Sequence, residues 1–229
     1  MIELKNVCKE FTDGGETFIA LEETNLQINE NEFTAVIGPS GSGKSTFLTI
    51  VGALQQPTEG TLSINDEDVY KMSENKRSDL RFKDIGFVLQ GSNLIPFLTI
   101  REQYRLKLQK EKKDEANQRI DEVLELLSIK HIGDKYPEDV SGGERARAAI
   151  GLAILLKPRL LLADEPTASL DTEKAVQIVE VLQSISREQD TSVVMVTHDE
   201  RMLEYCDRVI QILDGDVSEV TEEKLKNKK

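Results

Sequence analysis

The densest chemistry in this chain sits at Gly38-Pro39-Ser40-Gly41-Ser42-Gly43-Lys44-Ser45-Thr46. Glycines without a Cβ let successive backbone N–H groups curl around an anion. Lys44 offers a full charge to β- and γ-phosphates, and the Ser45 hydroxyl stands where it can ligate Mg²⁺. A glycine-rich surface turn is the plain alternative. The flanks argue against it: Phe33 to Ile37 has strand character, and Phe47 to Leu54 suits a helix packed on a sheet. Strand, glycine loop and helix start together make a triphosphate cradle, the helix adding free N–H donors and a partial positive charge.

Hydrolysis would also need carboxylates. Leu160-Leu161-Leu162-Ala163 reads as a fully buried strand, and Asp164 and Glu165 follow at its tip. That puts the pair at the C-terminal edge of a sheet, beside the phosphate loop. Asp164 would join the Mg²⁺ shell, and Glu165 would polarise the attacking water as general base. Gln90 ends the apolar run Ile85-Gly86-Phe87-Val88-Leu89 and His198 follows the strand Ser192 to Val196, so both reach the same edge. The Gln90 amide is either a loop cap or a reach toward metal-bound water. His198 is either structural or a hydrogen-bond partner of a γ-phosphate.

Two further places fit an anion or a base. Ser141-Gly142-Gly143-Glu144 opens a helix running to about Leu156 and forms a second, lysine-free anion site, or an ordinary N-cap. Phe11, at the end of the first strand segment, is either a half-buried strand aromatic or a stacking face for a purine.

The elements that position these groups follow in order. Residues 2–37 read as short strands, Ile2 to Leu4, Thr17 to Leu21, Leu26 to Ile28 and Phe33 to Ile37, with a turn over Thr12 to Glu16. Strands before any helix imply an antiparallel layer leading into the core. A helix over 45–54, a turn at Pro57 to Gly60 and a strand at Thr61 to Ile64 come next, then a polar surface excursion over 66–84. Residues 91–140 change character: 94–108 leans helical, and 114–129 carries Ala116, Ile120, Val123, Leu124 and Leu127 on one face. A helix over Thr172 to Arg187 and a hairpin around Asp214-Gly215 complete the chain. The fold class is α/β, a P-loop NTPase core.

Bulk composition bounds the partners. Of 229 residues, 42 are acidic and 29 basic, a net charge of −13 that disfavours broad nucleic-acid binding. The basic run Lys224 to Lys229 is a solvated terminus, or a contact with an anionic membrane surface. Cys8, Cys206, His131 and His198 are scattered, so a structural zinc site and a disulfide are not expected. The longest apolar stretch, Leu152 to Leu156, stops at Lys157-Pro158, far short of the ~20 residues that span a bilayer.

As a set these motifs resemble the ATP-binding cassette of ABC transporters, in order and over nearly the whole chain. Phe11 matches the adenine-stacking position, usually tyrosine, Gly38 to Thr46 the Walker A loop, and Gln90 the Q-loop. Ser141 to Glu144 match the signature motif, Asp164 and Glu165 the Walker B aspartate and catalytic glutamate, Ser169-Leu170-Asp171 the D-loop, and His198 the switch histidine. Glu144 and Val140 depart from the usual glutamine and leucine, and a carboxylate there adds negative charge near a nucleotide unless it points away.

The resemblance implies one cassette over 1–229, with about 1–90 and 158–229 as nucleotide core plus an antiparallel β subdomain. About 91–157 would form a helical subdomain. It implies ATP and Mg²⁺ as cofactors. It also implies a head-to-tail homodimer that sandwiches two ATP molecules, and a separate permease with an extracytoplasmic domain. The chain would then sit on the cytoplasmic face of the membrane. Val7 to Phe11, Ile85 to Gln90 and Val196 to Arg201 are similar to the class that serves macrolide, lipoprotein-release, peptide-resistance and haem transporters. Ser78 to Arg81 with Asp84 to Phe87 are most similar to Gram-positive haem-exporter ATPases. Two other readings share the cassette. A DNA-maintenance ATPase would need a long coiled coil or zinc module where only residues 91–140 stand. A regulatory complex would signal through its permease without moving cargo.

Overall fold

The computed structural model describes residues 1–220; the basic run at 224–229 lies outside the described residues. Strands β1 (Ile2–Asp13) and β2 (Glu16–Ile28) form a long antiparallel hairpin, with Phe11 directly opposite Phe18. Both residues of its turn, Gly14 and Gly15, have positive φ, the geometry a two-residue hairpin of the right twist demands. The sequence reads three short strands here. Bulges along β1 instead let two continuous strands carry the mixed pattern. With β4 (Glu59–Ile64) and β5 (Glu67–Asp68) they make an antiparallel sheet in the order β2-β1-β4-β5.

The second sheet runs β10-β9-β3-β8-β7-β6, from β3 (Phe33–Ile37), β6 (Ile85–Val88), β7 (Leu160–Asp164), β8 (Ser192–Val196), β9 (Arg208–Leu213) and β10 (Asp216–Glu219). The edge strand β10 pairs antiparallel with β9 through Asp214-Gly215, and the remaining pairs are parallel. Parallel strands need cover on both faces, and β3 and β8 are buried along their whole length. One face takes α1 (Lys44–Val51), whose Phe47, Ile50 and Val51 pack with Leu4, Val7, Leu21 and Ile28 of the antiparallel sheet. The other takes α5 (Gly142–Ile154) and α6 (Thr172–Glu188), with α3 (Ile100–Lys107) and α4 (Lys113–Leu126) packed onto them.

Two segments differ from the sequence reading. The excursion over 66–84 contains α2 (Glu74–Asp84), capped by Ser73 and burying no residue, so it has no apolar stripe to reveal it. The helix expected over 94–108 begins only at Ile100, where Thr99 and Glu102 form a capping box and fix the start. Inside the helical layer, Tyr104 is fully buried and its hydroxyl donates to the Ala148 carbonyl at 2.8 Å. Gly151 makes the room: a Cβ there would lie 2.0 Å from that hydroxyl oxygen. Lys107, its pKa lowered to about 8 by burial, donates to the Leu152 carbonyl near the C-terminus of α5 at 2.7 Å.

Candidate active site

Topology brings the phosphate loop, the carboxylate tip and the histidine tip together because β3, β8 and β7 are parallel neighbours. All three end on the same edge of the sheet. The cavity there, about 650 Å³, is lined by Phe11, Gly38, Ser40, Gly41, Gly43, Lys44, Ser45, Thr46, Asp164, Glu165 and His198. Phe18, Ile19 and Ala20 line it too. Sequence reasoning missed these three, although the Gly14-Gly15 turn sets the register that puts Phe18 across from Phe11.

The loop is shaped by close approach. A Cβ on Gly38 would stand 2.1 Å from the Ile212 carbonyl oxygen, and one on Gly43 would stand 2.3 Å from that of Ala20. Gly43 also has φ +108, a conformation that L side chains rarely adopt. Ser42 Oγ is buried with no hydrogen-bond partner among the described residues. Lys44 folds back and donates to the carbonyls of Gly38 at 2.9 Å and Pro39 at 2.6 Å, not to a carboxylate. Pro39 follows Gly38 on the exposed part of the loop. A cationic group parked on carbonyls, beside that hydroxyl and a glycine loop that is open around Gly41, fits an anionic ligand.

Asp164 is partly buried, and desolvation first, then the neighbouring Glu165, raise its pKa, while Lys44 pulls it down. Glu165 has φ +46, an uncommon conformation for a non-glycine residue, and its N–H donates to the Val196 carbonyl at 3.0 Å. This bend turns its carboxylate between two partners. Gln90 Nε2 donates to Oε2 at 3.4 Å, and His198 Nδ1 lies 3.5 Å from Oε1. Among the described residues no group of three or more His, Cys, Asp or Glu is arranged to hold a metal. Ser45 and Asp164 line the Lys44 cavity with oxygens suited to a divalent cation, whereas Gln90 lines a neighbouring cavity that shares Glu165 with it.

Phe11 stacks on Phe18 with ring centroids 5.5 Å apart and planes at 24°, and the Lys9 ammonium lies 5.1 Å from the Phe11 ring centroid. The two rings offer apolar area beside the loop, which suits a nucleobase.

Ser141, Gly142, Gly143 and Glu144 stand elsewhere. None of them lines the cavity that holds Lys44. Ser141 caps α5: its Oγ accepts from the Glu144 N–H at 3.3 Å and donates to Glu144 Oε2 at 2.7 Å, while its own N–H reaches the same Oε2 at 2.9 Å. Glu144 Oε1 is 2.8 Å from His131 Nε2. These hydrogen bonds, led by the Ser141 hydroxyl, hold the Glu144 pKa down to about 2. Gly142 and Gly143 pack toward Leu170 and Lys174. Asp171 caps α6 and holds the Lys174 ammonium at 2.5 Å.

A nucleotide-sized cavity with a P-loop, a carboxylate pair and a histidine at one sheet edge defines an ATP-hydrolysing cassette. The family model described as ABC transporter matches residues 21–168, and the chain belongs to that family. It is 39% identical to the "Putative hemin import ATP-binding protein HrtA" of Staphylococcus haemolyticus, over 94% of this chain and 98% of that protein. It is 40% identical to the "ABC transporter ATP-binding protein YxdL" of Bacillus subtilis, over 95% and 85%. Among solved structures, the dimeric post-hydrolysis state of the cassette MJ0796 bound to ADP and Pi superposes with TM-score 0.86 at 36% identity, covering 96% of this chain and 99% of that one. CbiO1 of Clostridium perfringens, part of the transporter complex cbiONQ, gives 0.88 at 26%, covering 99% and 93%. Among the described residues no helix is long and apolar enough to cross a membrane.

Proposed function

We propose that this cassette works as a head-to-tail homodimer in which each ATP is gripped by the Gly38–Thr46 loop of one chain and the Ser141–Glu144 helix start of the other. The observation that carries the reading is the separation of the two anion sites. The helix start has free N–H groups and no lysine, and it does not line the Lys44 cavity of its own chain. A similar cassette is a dimer with ADP and Pi bound, which supports a dimeric assembly.

Phe11, with Phe18, would stack on the adenine. Lys44 would leave its two carbonyls for the β/γ-phosphates, and Ser45, Asp164 and Gln90 would hold Mg²⁺, which supplies charge neutralisation on the phosphates. Glu165 would accept the proton of the attacking water, with Gln90 and His198 orienting its two oxygens. Asp171 would lie across the dimer from the second nucleotide. Residues about 91–157 would form the helical lever. Closure would pass from Gln90 through that lever to a separate permease with an extracytoplasmic domain, and the chain would be peripheral on the cytoplasmic face.

The cargo we propose is haem, an antimicrobial peptide or a drug, moved outward. Two readouts test this. The chain should co-purify with a polytopic membrane protein from its native cells. Cells with Lys44→Ala should accumulate more haem than the parent strain; less haem would mean that transport runs inward.

A further inference from the structure

We propose that His131 is a positioning residue that turns the Glu144 carboxylate away from the arriving nucleotide, so that a helix start bearing an acid can serve as a phosphate half-site. The proposal rests on the head-to-tail reading above.

The difficulty it resolves is electrostatic. Glu144 is the third residue of α5, beside the N–H groups that would meet a triphosphate. A free carboxylate there repels the ligand and weakens the half-site. Glu144 is ionised, as its depressed pKa requires, so the charge must be managed by geometry.

Two sets of contacts do this. Oε2 is fixed by the N–H and hydroxyl of Ser141, within the capping box. Oε1 is fixed by His131, thirteen residues away on the short turn Lys130–Ile132 that follows α4. The histidine side chain is 62% exposed, and such a pair contributes little to stability in water. Its effect is on direction and on the Ser141 proton. Ser141 has one hydroxyl hydrogen, which it now donates to Glu144. An incoming phosphate oxygen must compete for that hydrogen. Donation from His131 to the other oxygen drains charge from the carboxylate and loosens its hold on Ser141. Without His131, Oε1 loses that donor, and the undiminished carboxylate charge keeps the Ser141 hydroxyl hydrogen from the phosphate.

The test is a double-mutant cycle in the full-length chain, His131→Ala, Glu144→Gln and both, with ATP turnover, nucleotide-driven dimerisation and melting temperature as readouts. His131→Ala should weaken ATP-driven dimerisation and raise the ATP concentration for half-maximal turnover about three- to tenfold, the range of one solvent-exposed side-chain hydrogen bond. Binding of a fluorescent ATP analogue to the dilute monomer should not change. In the Glu144→Gln background the same substitution should be silent, and His131→Gln, which keeps a donor, should restore part of the loss. Equal losses in both backgrounds, or a lowered melting temperature with no change in dimerisation, would overturn the role of His131. A parallel Glu165→Gln chain separates the two claims. If it forms no ATP-dependent dimer, the head-to-tail reading fails and takes this proposal with it; if it dimerises while the cycle shows no coupling, only the His131 proposal fails.

Discussion

His198 Nδ1 lies 3.5 Å from Glu165 Oε1, so the two side chains that reach the carboxylate edge from β8 and β7 face one another. Gln90 holds the other carboxylate oxygen, and the positive φ of Glu165 is the local distortion that makes this bracket. Replacing the base by its amide keeps the shape and removes the proton acceptor. Glu165→Gln should lower turnover by roughly 10²–10⁴ while nucleotide affinity stays within a few fold. Steady-state phosphate release with a binding titration checks both halves, and undiminished turnover would remove Glu165 as the base.

Asp164 carries an unfavourable charge in the nucleotide-free chain, since burial and Glu165 raise its pKa. A carboxyl whose folded pKa lies above its unfolded value costs stability at neutral pH, and that cost disappears as the group protonates in acid. Asp164→Asn should therefore raise the melting temperature of the nucleotide-free protein near pH 7, and the gain should vanish toward pH 3. Hydrolysis should be lost in the same variant. Melting curves across pH, paired with an ATPase assay, follow the two effects; a neutral or lowered melting temperature at pH 7 would contradict the strain.

Glu144 behaves in the opposite sense. Its folded pKa, about 2, lies below the ordinary glutamate value of about 4.3, so its capping interactions stabilise the fold above that value. The contribution should fade as pH falls from about 4.3 to about 2. Urea unfolding of the parent chain and Glu144→Ala should show a gap at pH 6 that closes by pH 2. A gap independent of pH would mean that the carboxylate is not held as described.

Gly151 tests the helical layer. A methyl there would overlap the Tyr104 hydroxyl and approach Leu127 Cδ1 at 2.7 Å. Gly151→Ala should cost about 1–3 kcal/mol through overpacking, despite the better helix propensity of alanine. Chemical denaturation reads it directly, and an increase in stability would show that the layer has slack.

Much of the site was legible because its chemistry is local in sequence. The P-loop, the buried strand ending in Asp164-Glu165, and Ser141 as a cap each announce themselves within a dozen residues. Gln90, His198 and Asp164-Glu165 could be brought together because parallel strands end on one edge. What escaped depends on pairing between distant segments. Phe18 enters the cavity through hairpin register, and Gly151 is explained only by Tyr104 on another helix. In sequence His131 is a scattered histidine, and only the turn after α4 brings it to Glu144. The helix α2 was hidden because it buries nothing and so has no stripe to read.

The account turns on each ATP being shared between two chains. The most direct measurement mixes a Lys44→Ala chain with a Ser141→Arg chain, each inactive alone, and follows ATP hydrolysis after exchange. Shared sites predict recovered activity, because the mixed dimer contains one intact P-loop facing one intact helix start. A mixture as inactive as its components would mean that loop and helix start act within one chain, and the account would be wrong.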